Sequence, residues 1–189
     1  MRESAKITRG YQFGYMILKH FLAAVFILLI ELLIFGQLLT MDVVKYIVSA
    51  IFIFCYAVSI YTASNTLASK DMKPYTPLNP NIKFGVLWGI AISATIIIAY
   101  VIYRINWSVF SENGSMVSLP SVLYNAFYML WTSPYFGLYS STGGEISYLV
   151  VILMVILPPI MSTLGYYTAI KKIFLSDKII AFMHEKDEK

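Results

Sequence analysis

Charge is scarce in this chain. Only 13% of its 189 residues are Asp, Glu, Lys or Arg, about half the roughly 25% of an ordinary soluble domain, so a water-facing surface cannot be built from them. Cysteine is nearly absent: the single Cys55 excludes an intrachain disulfide, a CxxC redox pair and a cysteine-based zinc site. The two histidines, His20 and His184, fall at an expected membrane interface and in the tail, which argues against an intramembrane histidine pair for haem or metal. There is no HExxH, GxSxG, P-loop or GxGxxG, so the familiar hydrolytic and nucleotide-binding chemistries have no residues to run on. The reading is therefore non-enzymatic, with no metal and no cofactor expected.

What the chain has instead is hydrocarbon. Hydrophobic residues make up 59%, and they fall in blocks near the roughly 20 residues a helix needs to cross a bilayer. Four such spans are expected, at about residues 20–39, 43–65, 84–103 and 146–170, giving an all-α integral membrane protein with a single membrane domain over 1–189. The apolar run of the first block continues to Leu39 without a small-residue cleavage site, so it reads as a retained helix. The first two spans are separated only by "TMD" and should form a tight antiparallel hairpin. Residues 66–83 hold Pro74, Pro77 and Pro80 with three lysines and read as a rigid, extended strap.

Orientation follows from the basic residues. Twelve of the fourteen lie before span 1, between spans 2 and 3, or after span 4, leaving Lys45 and Arg104 on the other side. Both termini are thus expected in the cytoplasm, in a multi-pass plasma-membrane protein. The tail 171–189 carries Leu175, Ile179, Phe182 and Met183 on one helical face beside lysines, which fits either an amphipathic helix on the inner leaflet or a solvated tail.

The segment 105–145 is aromatic, with Trp107, Tyr124, Phe127, Tyr128, Trp131 and Tyr135. Between Ser118 and the "TSP" break about 13 residues are available, about 20 Å of helix, too short for a core of about 30 Å. A fifth span would also carry the C-terminal lysines outward. A short outer helix, interfacial or re-entrant, is expected, its rings forming either a headgroup belt or a cap that covers a cavity or docks a partner.

Two packing signals stand out. Gly85, Gly89 and Ser93 recur every four residues, a small-residue row that lets another helix approach closely, either a neighbour in the chain or an oligomer partner. Pro158 and Pro159 interrupt the fourth span and strip the carbonyls of Met154 and Val155 of their helical donors, so the helix should kink; hydroxyls such as Ser162 and Thr163, a water or an ion must then serve them.

One acid stands inside a span. Glu31 lies eleven residues after His20 and nine before Thr40, about 16 and 13 Å along a helix, which puts it near the midplane of the expected span. An ion there costs at least about 2.5 to 3.5 kcal/mol, so the side chain must face inward, find a partner or stay protonated. Ser49, Lys45 and Thr95 are the neighbours expected by depth; with the carbonyls of Met154 and Val155 they outline a candidate proton or cation site. Two functions follow: an accessory or assembly subunit of a membrane complex, docking a partner subunit or a second copy, and a small proton- or cation-coupled transporter or channel. The basic residues are explained by topology and anionic lipid, so nucleic acid is not an expected partner.

Overall fold

A computed structural model describes residues 8–34, 42–74, 78–113, 119–140 and 147–173. All regular structure among them is helical: α1 (Arg9–Ile34), α2 (Asp42–Asp71), α3 (Ile82–Asn113), α4 (Leu119–Thr132), a 3-10 turn (Ser133–Tyr135), α5 (Phe136–Ser140) and α6 (Tyr148–Ile170). Four of these, α1, α2, α3 and α6, contain stretches long and apolar enough to cross a membrane. The expected amphipathic tail helix, the "TM" of the first hairpin and Ser118 lie outside the described residues.

Helix ends differ from those read off hydropathy. The first candidate span begins at Arg9, where about His20 was expected, and α2 runs to Asp71, past the expected end near Asn65. The physical reason is that hydropathy marks the hydrocarbon-compatible stretch, whereas Lys, Gln, Ser and Asn interrupt that stretch without breaking helical hydrogen bonds. Lys70, assigned to the strap, is accordingly helical. The helix α3 opens where the Asn81 side chain accepts from Lys83 N at 2.9 Å, and α6 opens on Ser147, whose side chain accepts from Leu149 N; both are N-caps of the favoured type.

Helix α6 packs chiefly against α3 and α2. The small-residue row of α3 faces it: a Cβ on Gly89 would lie 2.7 Å from Pro159 N and 2.8 Å from Pro158 O, and one on Gly85 would lie 2.8 Å from Tyr166 Cβ. On the other side, a Cβ on Gly165 would collide with the Tyr61 carbonyl. Backbones at this separation gain van der Waals contact where lipid offers no hydrophobic drive. The same closeness serves the proline pair. Val155 O, freed by Pro159, accepts from Ser93 Oγ of α3 at 2.6 Å. The hydroxyl thus comes from the neighbouring helix, while Thr163 Oγ1 donates to Pro159 O and Ser64 Oγ donates to Ser162 O.

A polar latch fastens one end of the bundle. Asp71, at the last residue of α2, is buried and accepts from Arg9 Nη1 at 2.5 Å, from Gln12 Nε2 at 2.5 Å and from Tyr166 Oη at 2.7 Å. Arg9 also donates to Asn79 O at 2.7 Å and lies 3.6 Å from the centre of the Phe84 ring. One carboxylate therefore ties α1, α2 and α6, and its arginine partner adds the start of α3.

Candidate functional site

The inner face of α1 is a single stripe. Gln12, Met16, His20, Ala24, Ile27 and Glu31 are spaced by three or four residues, and all are buried. His20 lies eleven residues into α1 and Glu31 three residues before its last described residue.

The segment between α3 and α6 closes over this stripe. Pro134 cannot donate to the carbonyl four residues back, so α4 gives way after Thr132 to the 3-10 turn. That turn is buried throughout and packs against α1 and α2. Ser133 Oγ donates to Ala24 O at 2.6 Å. Beyond it, α5 rests on α2, where a Cβ on Gly137 would lie 3.0 Å from Lys45 O and 3.3 Å from Ser49 Cβ. A side chain at 137 fits only if the Ser49 hydroxyl moves aside or is replaced.

Four helices and the turn converge on one polar cluster. His20 Nδ1 and Tyr56 Oη are 2.8 Å apart. The His20 ring meets Trp131 edge-on at 5.0 Å, Trp131 Nε1 donates to Thr95 Oγ1 at 3.0 Å, and Tyr56 meets Tyr135 edge-on at 5.9 Å. Within this interior His20 Nε2 and Tyr135 Oη are buried without a hydrogen-bond partner among the described residues, as is Glu31 Oε2 further along α1. A buried polar atom left unpaired costs about 1 to 3 kcal/mol, so each of these atoms calls for a partner that the described residues do not supply.

The residues singled out from sequence are thus divided. Thr95, Trp131 and Tyr135 meet in the cluster. Ser49 and Lys45 are on α2 beneath α5, with Ser49 Oγ donating to Lys45 O at 2.7 Å. Met154 and Val155 belong to the α3–α6 contact, where Val155 O is served by Ser93. Tyr128 is buried and stacks on Tyr103 at 4.5 Å, and Phe127 stays half-exposed, stacked on Trp131 at 5.4 Å. The side chains of Trp107 and Tyr124 lie outside the described residues.

Sequence reasoning missed His20, Tyr56, Ser133 and Asp71. The four-residue rhythm from Gln12 to Ala24 was the available signal for His20, and Asp71 is the lone acid of the 66–83 stretch. Among the described residues no group of three or more His, Cys, Asp or Glu could hold a metal ion.

Together these features make an all-helical fold, among the described residues, with four helices long and apolar enough to cross a membrane and a buried polar cluster where the turn 133–135 packs against α1 and α2. Comparison with family models, with curated proteins and with solved structures finds no match to this chain.

Proposed function

We propose that this protein is a small transporter that moves a proton or a small cation through the interior lined by His20, Tyr56, Tyr135 and Glu31. The observation that carries the reading is the pair of unpartnered buried atoms, His20 Nε2 and Tyr135 Oη, on two rings that both pack against Tyr56. In this reading the segment is re-entrant: α4 enters the bilayer, the 3-10 turn is its deepest point and α5 leads back to the same side. Non-helical backbone is tolerated at membrane depth only where protein or water covers it, and the burial of Ser133, Pro134 and Tyr135 supplies that cover. Both termini are cytoplasmic in this reading, on the lysine-rich side.

Imidazole, phenol and carboxylate are the groups that proton relays use, and an ionisable residue within a span is a functional candidate by default. Proton or cation flux in proteoliposomes is expected to fall at least about tenfold for Glu31→Gln and for His20→Phe, with the proteins still folded. Unchanged flux in both variants, or no flux with the parent protein, contradicts the reading.

An assembly subunit is the second reading, favoured by the exposed apolar face of α4, where Leu123, Phe127 and Met129 point outward. The polar interior favours transport over docking in this reading, because a purely docking role gives no reason to bury unpartnered polar atoms.

A further inference from the structure

A second polar feature lies on the outside of the α1–α2 pair. Tyr15, Lys19, Ser59, Thr62, Ala63 and Thr66 line a groove of about 110 Å³. Liquid water occupies about 30 Å³ per molecule, so the groove has room for a group of several heavy atoms. Its lining holds an ammonium, a phenol and three hydroxyls, and no carboxylate. The Lys19 ammonium lies 5.5 Å from the centre of the Tyr15 ring and the Lys70 ammonium 5.7 Å from the same ring, so two cations lie near one aromatic ring.

Lys19 lies one residue before the apolar block that opens at His20, at the expected membrane interface, where a cation meets anionic headgroups. No carboxylate among the described residues pairs with Lys19. Leu18, Leu22 and Val58 are exposed beside the groove, which is what a helix pair presents to acyl chains, and the side chain of a lysine on α1 leans toward the helix N-terminus, the lysine-rich end. An anion seated here has apolar surface on its flanks and cations at its base.

We propose that this groove binds the phosphate of an anionic lipid, with Lys19 as the charged anchor, Lys70 supporting it across Tyr15, and the hydroxyls of Ser59, Thr62 and Thr66 forming the polar wall. Thr62 Oγ1 and Thr66 Oγ1 donate to the carbonyls of Ser59 and Thr62 at 3.0 and 2.8 Å, so their protons are committed and the Lys19 ammonium is the donor that holds the phosphate. This site does not depend on the transport reading, since it lies on the outer side of α1 and uses none of the interior residues.

The test uses the full chain in nanodiscs of phosphatidylcholine with about one fifth phosphatidylglycerol, followed by release into mild detergent and native mass spectrometry. The parent protein is expected to retain one phosphatidylglycerol per chain. Lys19→Gln should lower that retention at least about tenfold, Lys19→Arg should preserve it, and Lys83→Gln, which removes an equal charge from an exposed position, should leave it unchanged. No retained phosphatidylglycerol with the parent, equal retention in Lys19→Gln, or equal loss in Lys83→Gln overturns the proposal. A parallel arm adds inorganic phosphate: competition at millimolar concentration assigns the groove to free phosphate and overturns the lipid assignment, whereas its failure to compete supports it.

Discussion

Gly89→Leu is expected to separate α3 from α6 and to cost about 3 kcal/mol or more. Even the first carbon of a side chain at this position would sit 2.7 Å from Pro159 N and 2.8 Å from Pro158 O, and both are backbone atoms that no rotamer change can move aside. Overpacking typically costs about 1 to 3 kcal/mol when side chains can adjust; here the helices themselves must part. Parting them has a second consequence, because the Ser93 hydroxyl would withdraw from Val155 O, a carbonyl that Pro159 has already deprived of its helical donor. A lost hydrogen bond between membrane helices adds about 0.6 to 2 kcal/mol. The measurement is reversible unfolding in mixed micelles. Gly14→Ala is the matched control, since nothing lies within 4 Å of a Cβ there, and it should be neutral or stabilising by up to about 1 kcal/mol. Equal destabilisation by both would contradict the close approach.

Asp71→Ala should be the most damaging single change at the latch end. It removes a fully buried acceptor from Arg9, Gln12 and Tyr166 together. Breaking a buried pair costs about 3 to 5 kcal/mol, and the lower figure applies because the Arg9 side chain keeps 26% of its exposure. Asp71→Asn retains one acceptor oxygen and should recover part of the loss. Thermal unfolding and limited proteolysis near residues 72–80 read the difference. If Asp71→Ala unfolds like the parent, the latch contributes nothing and the four helix ends are held by apolar packing alone.

These two positions differ in how visible they are in the sequence. Gly85, Gly89 and Ser93 announce a close contact through spacing alone, and the proline pair announces carbonyls in need of a donor. That the two signals answer each other, with Ser93 serving Val155, requires knowing that α3 and α6 are neighbours, and no local pattern carries that. Asp71 was passed over because orientation is read from lysine and arginine, so a lone acid in a basic stretch carried no weight. The first turns of α1 were not legible for a related reason: the apolar block was taken as the span, and the polar residues that precede it, though helical from Arg9, were left out. The 14-residue length of α4 was legible from the "TSP" break, but the choice between a belt and a cap was not: Tyr135 is buried and Trp131 partly buried because the turn at Pro134 is directed at α1 and α2.

The central claim is that the segment 119–140 is seated inside the bundle, and the contact of α5 with α2 tests it most directly. A Cβ on Gly137 would lie 3.3 Å from Ser49 Cβ, close to the roughly 3.5 to 4.5 Å that a disulfide spans. In a Cys55→Ser background, the pair Ser49→Cys with Gly137→Cys should cross-link under mild oxidation in membranes, seen as a linked peptide by mass spectrometry, while Ser49→Cys paired with Leu123→Cys should not. Efficient cross-linking of the first pair alone is the predicted result. Absence of that cross-link, or equal linking of both pairs, would contradict an inserted segment and with it the polar interior on which the proposed transport depends.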